Sequence, residues 1–314
     1  MPNAALESFI NRAEHLLKRL ERILPQALAA PDWEASMAFR YRKRGASGWL
    51  QPVRQVAAIG LSDLQEVDGQ KARLVRNTRQ FVAGVPANNV LLTGARGTGK
   101  SSLIKACLNE FAPQGLRLIE VDKADLIDLP DLVDLVAERP ERFIVFCDDL
   151  SFDEGEPGYK ALKSILDGSI AAASDNVLIY ATSNRRHLLP EYMKENLTYT
   201  HTDDGEVHPG EVVEEKISLS ERFGLWISFY PFSQPEYLMI VAQWLRHFGA
   251  DESAITTARQ PSLLWALERG SRSGRVAYQF ARDWAGRDRG EAGLAEAGPA
   301  PSTESPAPDG LDRV

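Results

Sequence analysis

Asn89-Val90-Leu91-Leu92-Thr93-Gly94-Ala95-Arg96-Gly97-Thr98-Gly99-Lys100-Ser101-Ser102 is the stretch whose reading decides the fold. Val90 to Leu92 reads as a buried strand, and Gly94 to Ser101 has the spacing G-x-x-x-x-G-K-S. Ser102-Leu103-Ile104-Lys105-Ala106-Cys107-Leu108 then follows with helical periodicity. Strand, glycine loop and helix in that order form the setting a phosphate-binding loop requires. The glycines let the backbone turn tightly, so that successive N–H groups can point at one anion. The helix starting near Gly99 adds its unpaired N–H groups and the positive end of its dipole. Lys100 is expected to reach the β- and γ-phosphates, and the Ser101 hydroxyl to ligate Mg²⁺. Gly94, Ala95, Arg96, Gly97, Thr98, Gly99 and Ser102 complete the expected cradle for a nucleotide.

Working outward, apolar runs at Leu116 to Val121, Arg142 to Cys147, Asn176 to Ala181 and Leu225 to Phe229 read as further strands. A helical pattern at Lys71 to Phe81 lies ahead of the first strand, and others fall between strands at Leu132 to Ala137 and Tyr159 to Leu166. Strands apolar on both faces and alternating with helices predict a parallel sheet covered on both sides. The run ending at Cys147 meets Asp148-Asp149. Asp148 is expected to hold Mg²⁺, through water, and Asp149 to orient or deprotonate the attacking water. Asn184, in Ala181-Thr182-Ser183-Asn184, is placed to hydrogen-bond that water or the γ-phosphate. Phosphoryl transfer also needs positive charge at the γ-phosphoryl oxygens. Arg222, just ahead of the last strand, and Arg275, opening a later helix, are the two candidate cations.

The 314-residue chain has room for one large domain or two moderate ones. Its net charge of −8 argues against a broad basic face made for nucleic acid. Cys107 and Cys147 both lie in apolar runs and read as reduced core thiols, with no disulfide framework or zinc cluster. Glu7, Arg12, Glu14, Lys18 and Arg19 make the first twenty residues unlike a secretory signal. No apolar run reaches membrane-spanning length, so a cytoplasmic location is expected. From Ala4 to Leu28 the apolar positions share one helical face, expected to dock on the body of the protein rather than to form a coiled coil. Phe39-Arg40-Tyr41-Arg42-Lys43-Arg44-Gly45 reads as a solvated basic linker, although interleaved aromatic and basic residues can also hold single-stranded nucleic acid. Met193 to Lys216 reads as a long surface excursion. After Pro235 the pattern turns helical, with apolar stripes at Leu238, Val241, Ala242, Leu245 and Phe248, then Leu263, Leu264 and Leu267, then Val276, Phe280 and Trp284. The expected organisation is a helical and basic N-terminal region over 1–60, an αβα core over 61–232 and a helical lid over 233–286. A disordered tail is expected over 287–314.

With these motifs in this order, the chain resembles an AAA+ ATPase from about Leu61 to Gly286, and in particular the bacterial ATP-binding family called domain of unknown function 815. The loop Gly94 to Ser101, the Phe143-to-Asp149 strand, Asn184 as sensor 1 and Ser220-Glu221-Arg222-Phe223-Gly224 as arginine-finger box carry the likeness. Ser273-Gly274-Arg275 resembles the sensor 2 of the lid, and Leu64 to Gln70 the segment lining the adenine pocket. The resemblance implies a three-layer αβα core with a parallel sheet, a small α-helical lid, ATP and Mg²⁺ as ligands, and a homo-oligomeric ring, often hexameric. In such a ring Arg222 acts on the neighbour's nucleotide. The implied activity is ATP hydrolysis coupled to remodelling of a partner, with protein favoured over nucleic acid by the acidic balance. Most members carry Asp-Glu where this chain has Asp148-Asp149, a departure that bears on turnover and leaves a nucleotide-gated binding module as the alternative. A small-molecule kinase is the weaker third reading, because no arginine-rich acceptor lid is evident.

Overall fold

The computed structural model describes residues 28–45, 47–152, 156–167, 175–185 and 219–287, the backbone of 200–201, 207–208 and 288–296, and residues 7 and 9–16. The chain divides into two compact units, Met1–Phe232 and Ser233–Val314.

The first unit is built on a seven-stranded sheet. Its strands are β1 (Ala38–Arg44), β2 (Ser47–Pro52), β3 (Val90–Gly94), β4 (Leu116–Glu120), β5 (Arg142–Cys147), β6 (Val177–Ser183) and β9 (Leu225–Phe229), in the spatial order β2-β1-β4-β5-β6-β3-β9. All neighbours are parallel except the β1–β2 hairpin. Val90, Leu91 and Leu92 are fully buried, and so nearly is every residue from Phe143 to Cys147. That leaves no solvent face and explains the continuous apolar runs. Leu91, Ile119, Val145 and Ile179 share one core layer with Leu132 and Val136 of α3 (Leu129–Val136) and Leu162 of α4 (Pro157–Leu166).

The opposite layer holds α1 (Asp68–Val82) and α2 (Lys100–Phe111). Leu74, Asn77, Thr78 and Phe81 of α1 face inward at helical spacing. Asn77 donates from Nδ2 to Asn88 O (2.9 Å) and Tyr180 Oη (3.1 Å), and its Oδ1 accepts from Asn88 N (3.0 Å). Gln70 and Arg73 of the same helix donate to Ser228 O and Trp226 O. These bonds occupy carbonyls of β9, the last strand of the sheet, and blunt an edge that would otherwise be open to pairing.

Phe39 to Arg44 is therefore sheet and not linker. Phe39 and Tyr41 are buried, Arg40 pairs with Glu120, Lys43 with Asp128 and Arg42 with Asp122. At strand period Phe39, Tyr41 and Lys43 share one face, where the aromatics are buried and Tyr41 and Lys43 both reach Asp128, while Arg40 and Arg42 on the other face meet Glu120 and Asp122. The aromatics are consequently not available to stack on bases.

The second unit contains α5 (Gln234–His247), α6 (Glu252–Glu268) and α7 (Gly274–Glu296). Ser233 and Glu236 form a reciprocal capping box that starts α5, and the Asp251 side chain caps α6. The α6 stripe differs from expectation. Leu264 and Leu267 are exposed, whereas Ala258, Ser262 and Ala266 are buried, so the helix packs closely through small residues. Helix α7 also runs on to Glu296, ten residues into the segment expected to be disordered. Arg287 pairs with Asp283 one turn earlier, and alanine and glutamate continue the helix without needing a core.

Near the N-terminus residues 9–16 are helical, but Phe9, Ile10 and Leu16 are exposed, so the docking expected of that face is not seen there. The expectation for residues 17–27 lies outside the described residues. Of the excursion over 193–216, only two short paired strands, β7 (Thr200–His201) and β8 (Val207–His208), are described. The expectation for 297–314 also lies outside them. Among the described residues no helix is long and apolar enough to cross a membrane.

Candidate functional site

Because β6 pairs with both β5 and β3, the carboxyl ends of these three strands lie side by side. Parallel sheets of this kind place ligands outside those ends. The phosphate loop follows β3, Asp148-Asp149 follows β5, and Asn184 follows β6.

Gly94, Gly97 and Gly99 all have positive φ, at 131°, 74° and 96°. At Gly94 a Cβ would stand 1.9 Å from Phe229 O of the paired strand β9, so both backbone angle and space demand glycine. Gly99 is the N-cap of α2, and Thr98 Oγ1 braces the loop by donating to Ala95 O (2.8 Å). Lys100, only 6% exposed, directs its ammonium to Gly94 O (2.7 Å), Ala95 O (2.8 Å) and Asn184 Oδ1 (3.1 Å). Ser101 Oγ donates to Asp148 Oδ1 at 2.6 Å.

Asn184 Nδ2 donates to Asp149 Oδ1, so this one amide links the loop lysine to the second carboxylate. Arg96 Nη2 lies 3.8 Å from Asp149 Oδ2, an exposed pair worth little by itself. Asp149 has φ 51°, a left-handed backbone that costs a non-glycine residue of order 1–3 kcal/mol. The surroundings must therefore hold it there. Thr182 of β6 does so, accepting Asp149 N–H on its hydroxyl (2.9 Å) and Leu150 N–H on its carbonyl (2.6 Å), while its hydroxyl donates to Asp148 Oδ1 (2.5 Å). Sequence reading passed over Thr182. The only signal was a hydroxyl two residues before Asn184, which a parallel strand supplies as readily for packing.

Ahead of the loop, Asn109 of α2 donates to Ala57 O and Ile59 O (both 2.8 Å), tying the segment before the core to the helix that the loop starts. Buried Leu64 lies beside Gly99, 3.8 Å from the position of a Cβ there. Leu64 thus sets one apolar side chain beside the loop.

The donor set fits a divalent cation carried with a nucleotide. A hydroxyl and a carboxylate already within hydrogen-bond distance, Ser101 and Asp148, can both turn to one hard cation. Among the described residues there is no group of three or more His, Cys, Asp or Glu able to hold a metal alone. Mg²⁺ bound here would complete its shell with water and phosphate oxygens.

Arg222 and Arg275 are the two candidate cations. The Arg222 guanidinium forms an ion pair with Asp167, the residue that caps the end of α4. Arg275 is exposed in the first turn of α7, within the second unit.

Among solved structures, the chain is similar to the RuvB Holliday junction branch migration motor of Thermotoga maritima. The identity is 15% over 74% of this chain and 63% of that one, with a TM-score of 0.44. A DNA replication initiation factor matches at 14% identity over 76% and 67%, TM-score 0.45. The HORMA:CdnC:Trip13 complex of E. coli MS115-1 contains a chain matched at 13% over 71% and 90%, TM-score 0.43. The chain spans less than two thirds of the RuvB chain. No curated protein matches it. The mostly parallel sheet with helices on both faces and the glycine loop between β3 and α2 make the first unit a three-layer αβα fold of the P-loop type. With residues 34–288 matched by the family model described as protein of unknown function DUF815, the chain belongs to that family.

Proposed function

We propose that this protein is a Mg²⁺-dependent AAA+ ATPase, working as a homo-oligomer in the cytoplasm and coupling hydrolysis to remodelling of a protein partner. The observation that carries the reading is the direct hydrogen-bonded convergence of Lys100, Ser101, Asp148, Asp149 and Asn184 at three adjacent strand ends. In this reading the loop N–H groups and Lys100 hold the β- and γ-phosphates, Lys100 exchanging its own loop carbonyls for phosphate oxygens. Ser101 and Asp148 hold Mg²⁺, which when bound neutralises charge on the phosphoryl oxygens. Asn184 positions water against Asp149, which accepts its proton. Arg222 leaves Asp167 to reach a neighbouring protomer's γ-phosphate, and Arg275 senses the nucleotide from the helical unit. Ion-paired Arg40, Arg42 and Lys43 support a protein partner over nucleic acid.

Phosphate release from Mg·ATP by the wild type and Lys100→Ala tests the assignment. We expect a loss of roughly 100-fold or more for the variant, the scale of removing one preorganised donor at a developing charge. Equal rates would refute it. Activity per molecule should rise with protein concentration if Arg222 acts across an interface. The shorter Asp149 carboxylate, held by Asn184 beside Arg96, favours one alternative, a nucleotide-gated binding module. Tight ATP binding without release, with partner candidates present, would select it.

A further inference from the structure

One residue of the neighbouring strand bonds both acidic residues of this site, Asp148 through its carboxylate and Asp149 through its backbone N–H. Thr182 is 2% exposed, and its one hydroxyl serves two roles at once. Its lone pair takes the Asp149 N–H, so its proton is committed to Asp148 Oδ1, the same oxygen that Ser101 engages. Its carbonyl takes the next amide, Leu150 N–H. The end of β5 is thereby folded across onto β6, with Asp149 kept at positive φ and its carboxylate facing Asn184.

From this geometry we infer that Thr182 is a positioning residue, which sets the Asp148 carboxylate for the cation and the Asp149 carboxylate for water. The inference rests on the ATPase reading above. A threonine here could in principle serve packing alone, since a branched side chain suits a buried strand. Packing, however, needs only the shape. Valine keeps the shape and loses both hydrogen bonds, while serine keeps the bonds and loses a methyl group. The two substitutions therefore separate the two roles.

The experiment titrates a fluorescent ATP analogue into wild type, Thr182→Val and Thr182→Ser, once in EDTA and once across a Mg²⁺ series, with single-turnover hydrolysis alongside. Partners that orient metal ligands are worth roughly 10–100-fold in affinity or activity. Thr182→Val should bind the analogue normally in EDTA. It should need roughly tenfold or more Mg²⁺ for half-maximal enhancement and hydrolyse roughly 10–100-fold more slowly. Thr182→Ser should recover both to within a few-fold. If Thr182→Val does not fold, Thr182→Ala removes the same hydroxyl without bulk and takes its place. A hydroxyl-free variant with wild-type Mg²⁺ dependence and rate, or a serine variant no better than valine, overturns the proposal. Should the wild type itself bind no nucleotide, it is the ATPase reading that fails.

Discussion

Gly94 and Asp149 share one problem, a left-handed or otherwise strained backbone next to the place where chemistry is expected, and they solve it differently. Gly94 lacks the atom that would collide with Phe229 O, whereas Asp149 keeps its side chain and is held by Thr182. Such strain persists only where neighbours over-determine it. We expect Gly94→Ala to lower stability by roughly 2–4 kcal/mol, combining a disfavoured φ with a backbone collision. Gly45 is the control: its φ is 62° but no atom lies within 4 Å of a Cβ there. Gly45→Ala should cost about 1–2 kcal/mol, the conformational part alone. Urea unfolding of the two variants decides it, and equal losses would show that the space around Gly94 can relax.

At the scale of elements, α1 is held by its amide as much as by its apolar face. Asn77 satisfies both backbone groups of Asn88 just ahead of β3 and bonds the buried Tyr180 hydroxyl of β6, which also meets Thr78 Oγ1 at 2.9 Å. Removing the Asn77 side chain takes one partner from the buried Tyr180 hydroxyl and breaks both bonds to the Asn88 backbone. Asn77→Ala should therefore cost roughly 2–4 kcal/mol by denaturant unfolding, more than its lost volume explains. A loss below about 1 kcal/mol would mean that water replaces the amide at no penalty. The exposed ion pairs of β1 with Glu120 and Asp122 show the converse, each contributing little to stability by itself.

Across the whole molecule, the two thiols report on the core of the first unit. Burial pushes both Cys107 and Cys147 up to about 12, so the reactive thiolate is scarce at neutral pH. Both side chains are shielded as well. A disulfide-exchange reagent at pH 8 should leave folded protein essentially unlabelled and titrate two thiols per chain in denaturant. Rapid labelling under native conditions would reveal local opening of the sheet or of α2. On the proposed ATPase reading, saturating Mg·ATP should slow any residual labelling further, because a ligand of the folded form opposes opening.

What the sequence settled alone was local and periodic: the phosphate loop, the apolar strands and the helices between them. Each is dictated by composition within a few residues, as with the buried Arg142–Cys147 strand and the positive-φ glycines at 94, 97 and 99. Asp148 and Asn184 could be singled out because each directly follows an apolar strand, but that those strands are neighbours is a fact of the sheet. Tertiary structure decided what depends on partners distant in the chain. It turned Phe39 to Arg44 from a linker into a strand, because Glu120, Asp122 and Asp128 stand roughly 80 residues away, a distance no window of local reading spans. It buried the small residues of α6 in place of its leucines, because packing rewards close approach and not hydrophobic count. It also brought the Thr182 hydroxyl to the Asp148 side chain and the Asp149 backbone N–H, a meeting set by the register of β6 against β5 and written in neither strand alone.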